Sequence, residues 1–244
     1  MRWETADWRP KTGLSVSIMV FAILFGLLSS VYPFLAIAQP EQSEDFHSTR
    51  IGISAGMGVS YHAAQDIVDR INGSGVITQR VGDFKSGVDF FGAVSVPVSR
   101  DWAVKGEYVY MLSSYSLPSI ISVHNAEFSY NIHMPTLVGQ YILFEAPTYN
   151  LKAGVGAGYH FATYSEKYSS VDASFTGRGV GMLIELEGNT ALGEALYAHL
   201  GVQMRWEFIG ALMNGAGNPP PGNSASTSLN CFSIGARLGM TYYL

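Results

Sequence analysis

Charge is scarce in this chain. Asp, Glu, Lys and Arg make up 14% of its 244 residues, where about 25% is usual for a soluble globular domain. The formal net charge of −5 leaves no basic excess for a nucleic-acid partner. Cysteine is nearly absent. Cys231 stands alone, which excludes an internal disulfide and a multi-cysteine zinc site. No cysteine lies near the N-terminus to carry a lipid anchor. After residue 38 no apolar run reaches the ~18 residues that a spanning helix needs. Membrane insertion of that part would have to use strands. The common catalytic signatures are missing too: there is no HExxH, CxxC or P-loop pattern. Gly154-x-Gly156-x-Gly158 falls inside a strand pattern and opens no helix. No catalytic residue, metal or cofactor is therefore assigned.

Glycine and aromatics are plentiful instead. There are 27 Gly and 14 Tyr, a composition suited to a sheet with an aromatic surface. The N-terminus carries Arg2, Arg9 and Lys11, then an apolar stretch from Leu14 to Leu28, then Ala36-Ile37-Ala38. A basic region, an apolar region and a small-x-small end describe an export signal. Residues 1–38 are expected to be a signal peptide cleaved after Ala38, and residues 39–49 a short polar segment. The remainder, 50–244, is expected to form one domain.

That domain alternates. From Cys231 to Leu244, the even positions Phe232, Ile234, Ala236, Leu238, Met240, Tyr242 and Leu244 are all apolar, and the odd positions are mostly small or polar. An alternation this long gives a strand two faces of opposite character, and it exceeds the usual strand of five or six residues. Similar patterns begin at Ile51, Val88, Trp102, Ala126, Leu151, Val180 and Leu196. The Ala126 strand shows its apolar face first at Phe128, Tyr130 and Ile132, then at Leu137, Tyr141 and Leu143. A bulge near Pro135 would explain the change. Connections near 99–101, 145–149 and 188–194 are short. Those at 62–84, 113–125, 163–176 and 209–227 are long, and the first holds a helical pattern over Ala63–Asn72.

The second face of these strands carries charge. Arg50, Lys105, Lys152, Arg178, Arg205 and Arg237 are expected inside, with Asp89, Glu107, Glu127, Glu185, Glu187 and Glu207. Unpaired charges in a narrow lumen are unfavourable, so a balanced set of ion pairs is expected. Aromatics gather toward strand ends: Trp102, Tyr141, Tyr149 and Tyr242 at the short turns, and Tyr115, Tyr159, Phe161, Trp206 and Phe208 at the long loops. Two such girdles fit the two interfaces of a bilayer.

Over residues 50–244 the chain resembles the small outer-membrane barrels: the membrane domain of outer membrane protein A, and outer membrane proteins X and W. The terminal strand and the stretch Lys152-Ala-Gly-Val-Gly-Ala-Gly-Tyr159 carry the resemblance. It implies an all-β, eight-stranded antiparallel transmembrane barrel behind a cleaved signal peptide. Both termini would be periplasmic in a Gram-negative-type envelope. It implies that the last strand addresses the barrel-assembly machinery, with Tyr242 and Leu244 in the signal positions that usually end in Phe or Trp. The expected partners are outer-membrane lipids and lipopolysaccharide, with no nucleic acid, and the chain is expected to be a monomer. No peptidoglycan-binding domain is expected after the barrel.

The leading expectation is a structural or surface-interaction protein with a filled lumen. A narrow channel for small or hydrophobic solutes is the alternative. A lipid A-modifying enzyme is another, with His124 or His160, Ser129 or Ser165, and Glu127 or Glu166 as the nearest candidates. A closed barrel should resist detergent, so unboiled protein should migrate differently from boiled protein on a gel. Identical migration would count against the barrel.

Overall fold

A computed structural model describes residues 50–73, 86–117, 126–168, 171–220 and 227–244. The expected signal peptide with Ala36 and Ala38, the segment 39–49 and His124 lie outside the described residues.

Eight antiparallel strands close into a ring: β1 (Gly52–Ala63), β2 (Gly87–Pro97), β3 (Trp102–Leu117), β4 (Ala126–Ala146), β5 (Tyr149–Tyr168), β6 (Val171–Ala191), β7 (Leu196–Ile209) and β8 (Leu229–Tyr243). Each strand pairs with its neighbour in the chain. β8 returns to β1 from Gly52↔Tyr243 to Ala63↔Phe232. No strand edge is left open. The turns at one end are tight. Val98 N–H donates to the Trp102 carbonyl at 2.8 Å, and Leu192 N–H to the Leu196 carbonyl at 2.8 Å. The strand ends Ile51 and Leu244 meet at this same end through a 2.9 Å backbone bond.

The exterior of the lower wall is apolar and exposed. Val59, Leu137, Val155, Val180, Leu200 and Leu238 all point out, Val155 with 67% of its surface free. Among the described residues, no helix is long and apolar enough to cross a membrane.

Three expectations change. First, 163–176 is not a long loop. β5 and β6 run through it, pairing Thr163↔Thr176 and Ser165↔Ser174. Alternation persists there, but the outward residues are now polar, so the apolar period vanished from the outer face.

Second, β4 has no bulge near Pro135. Phe128, Tyr130, Ile132 and Met134 are buried inside, on the same face as Thr136, Val138 and Gln140. The ladder to β5 skips Met134 and Pro135, where Pro lacks a donor, and resumes in unchanged register. The register shift lies between Ile142 and Phe144. Third, Tyr115 packs inward against the apolar core and not in an outer girdle.

These changes share one cause: the wall exchanges polarity along its height. At the loop end the interior is a hydrophobic core of Val109, Met111, Phe128, Tyr130, Ile132, Tyr164, Phe175 and Ile209, among others. Helix α1 (Gln65–Gly73) caps it. Its Ile67, Val68 and Ile71 are buried there, each contributing roughly 1.5–3 kcal/mol. Asp66, in the first turn where a negative charge suits the helix dipole, accepts from Ser228 Oγ at 2.5 Å and Asn230 Nδ2 at 3.0 Å. Arg70 pairs with Glu166 of β5 at 3.2 Å, both buried.

Cysteine scanning can read this exchange in a Cys231→Ser background. Ser129→Cys, outward on β4, should label rapidly with a membrane-impermeant maleimide. Ile132→Cys, inward, should stay protected until the barrel is unfolded.

Candidate functional site: the filled lumen

Below the apolar core the lumen is polar, and its residues come from every wall. The inward positions alternate small and large. Gly154, Gly58 and Gly181 face the lumen, and a Cβ on them would meet Glu185, Asp89 and His160 at 2.9, 2.6 and 2.2 Å. The glycines that marked this as a sheet protein clear space for long ionic side chains.

Glu107 of β3 is the hub. One carboxylate oxygen accepts from Arg205 of β7. The other accepts from Arg237 Nη1 of β8 at 2.7 Å and faces Lys105 Nζ at 3.3 Å. Lys105 also meets Glu185 at 2.5 Å and Glu187 at 3.0 Å, both from β6. Gln140 of β4 donates to both of these acids at 2.9 Å. Arg237 Nε lies 3.3 Å from Asp89 of β2 and its guanidinium stacks 4.9 Å from the Phe91 ring. Every one of these charged groups is less than a tenth exposed. Buried charge is tolerable only when it is paired and hydrogen-bonded, and here each acid meets a base from another strand.

Amides extend the network downward. Asn189 donates to Glu187 at 3.1 Å and to Asn150 at 3.0 Å, and Asn150 donates to the Tyr243 hydroxyl at 3.1 Å. Lys152 reaches the same hydroxyl at 3.4 Å. The mouth framed by Arg50, Asn150, Lys152 and Tyr243 offers only about 10 Å³, room for about one water.

Of the residues expected inside, Asp89, Lys105, Glu107, Lys152, Glu185, Glu187, Arg205, Glu207 and Arg237 are brought together there. Arg178 is a correction: it is exposed on the outer wall. It stands two residues before Val180 and four before Met182, and therefore shares their outward face. Glu127 likewise points out. Arg70 and Glu166 fill the corresponding places inside. Glu166 is signalled by its period with Lys152 on β5; Arg70, arriving on a helix, has no such signal. Phe91 and Gln140 were also missed, because an uncharged residue on a polar face gives no charge signal. Tyr242 and Leu244 are exposed on the outer face.

Among the described residues the enzyme candidates do not assemble. His160 is buried inside against Glu207 and Thr136. Ser129 and Ser165 lie on the outer face, paired with each other across β4 and β5. Glu166 is committed to Arg70. Among the described residues no group of three His, Cys, Asp or Glu is placed to hold a metal ion.

No family model matches the sequence, and no curated protein matches it. Among solved structures, the chain is similar to Neisserial surface protein A, with 13% identity over 79% of this chain and 96% of that one, at a TM-score of 0.47. It is similar to the outer membrane protein OprG from Pseudomonas aeruginosa, with 12% identity over 83% and 99%, at a TM-score of 0.49. It is also similar to the outer membrane protease OmpT from Escherichia coli, with 6% identity over 83% and 99%, at a TM-score of 0.43.

Glu107 supplies a stability test. Replacing it with Ala strands Arg205, Arg237 and Lys105 without their shared anion. The refolded barrel should lose about 3–5 kcal/mol in urea unfolding. A change below ~1 kcal/mol would mean that the network is solvated.

Proposed function

We propose that the chain is an exported outer-membrane barrel whose role is structural or made through its surface, with a lumen that does not conduct. The carrying observation is the lumen itself. An ion network centred on Glu107 fills its polar level, and α1 with its apolar core closes the loop end. A solute path would need both levels to open.

The exposed apolar exterior supports the membrane placement. In water it would be an aggregation hazard; against lipid it is what an edge-free ring requires. The tight turns and both strand termini share one end, which supports a periplasmic position for them. The exposed Tyr242 and Leu244 suit recognition of the last strand by the barrel-assembly machinery. The basic-apolar start of the chain supports export.

Refolded protein in a planar bilayer should give no steady discrete openings. Ohmic steps that persist over minutes would favour the narrow-channel reading instead. Deletion of residues 65–73 should leave the conductance at baseline, because the ion network remains. Incubation with lipid A should leave its mass unchanged.

A further inference from the structure

Outside the lumen, one wall carries an ordered chemistry that the filled-barrel reading does not use. It lies on the outer faces of β3, β4, β5 and β6, which stand in continuous register. From the apolar belt upward, three rows follow. The first is Tyr110↔His133↔Phe161↔Arg178. The second is Leu112↔Asn131↔Thr163↔Thr176. The third is Ser114↔Ser129↔Ser165↔Ser174, four hydroxyl side chains on four adjacent strands. Neighbouring strands are about 4.8 Å apart, so the serines form an evenly spaced hydroxyl ladder.

The first row is the boundary. Below it Tyr108, Tyr159, Val180 and Phe208 are exposed and largely apolar. In it stands Arg178, exposed, with no acid or hydrogen-bond acceptor for its guanidinium among the described residues. Two strands away, roughly 10 Å, His133 is held in place. Its Nδ1 lies 2.6 Å from the Tyr108 hydroxyl and its ring packs 4.8 Å from Tyr110. When Tyr108 donates to Nδ1, the His133 proton sits on Nε2, as a further donor.

Directly beneath, a shallow groove of about 580 Å³ opens on the outer wall, lined by Gly92, Val94, Gly106, Tyr108, Leu137 and Ala157. Gly92 and Gly106 have open space where a Cβ would stand.

We propose that this wall binds one phosphorylated glycolipid of the outer leaflet: an acyl chain in the groove, a phosphate at Arg178 and His133, and saccharide along the serine ladder. The order apolar, cationic, hydroxylic is the order of such a lipid from its chains to its sugars. Charge complementarity commits the boundary to an anion, and an arginine fork suits phosphate oxygens. A phospholipid would leave the ladder unused, and free phosphate would leave the groove unused. The proposal rests on the outer-membrane reading above.

The test uses the full barrel in detergent, titrated by native mass spectrometry. The probes are a rough-type lipopolysaccharide, its dephosphorylated form and phosphatidylglycerol. The intact glycolipid should be retained most strongly. Arg178→Gln should weaken it about five- to tenfold and Arg178→Lys less, while the dephosphorylated form should bind weakly to all variants. Gly106→Leu, which fills the groove in open space, should weaken the glycolipid with Arg178 intact. Unchanged binding by Arg178→Gln, or equal retention of phosphatidylglycerol, overturns the proposal. The gel shift on boiling checks that each variant is folded. It and the bilayer conductance do not involve this wall, so failure of the site is distinguishable from failure of the filled-barrel reading.

Discussion

Everything in this molecule follows from ring closure. The β8–β1 ladder gives the backbone groups of the last strand partners on the first. A closed ladder suits an apolar exterior, because no unpaired N–H or C=O is then left at a strand edge. Closure also creates an interior cut off from bulk water. Charges placed there must find partners across the lumen, and Glu107 does so with Arg205 and Arg237 from the opposite side of the strand order. The glycines belong to the same constraint. In a narrow ring, a side chain at every inward position would not fit beside these long ionic groups.

The wall then changes character along its height. In the lower part apolar residues face out and charges face in. Toward the loops the strands keep their period but reverse it, with Phe128, Tyr130 and Ile132 inside and Ser129, Asn131 and His133 outside. That is the arrangement of a soluble sheet, covered at its open end by α1. One protein thus has two kinds of interior, an electrostatic one and a hydrophobic one, stacked in one tube. Both resist opening: the first by the unfavourable separation of buried charges, the second by exposure of packed apolar area.

The eight strands were legible because period-2 alternation is a local property. Their upper ends were not. In β5 and β6 the outward residues from Thr163 to Thr176 are polar, and polar alternation resembles loop composition. The β4 reversal was legible as a change of apolar face, but one strand alone cannot distinguish a bulge from a change of surroundings. Arg178 shows a different limit: its parity with Val180 places it outside, and charge alone is a poor guide to which face a residue takes.

The sequence by itself determined the number of strands, the lower apolar face and most of the buried charged set. Each of these is written in the parity of residues close together in the chain. Tertiary structure alone decided which acid meets which base, that α1 with Arg70 closes the loop end, and that serines from four strands line up outside. Those pairings join residues as far apart as Glu107 and Arg237, and they depend on the register in which the ring closes, which no single strand encodes.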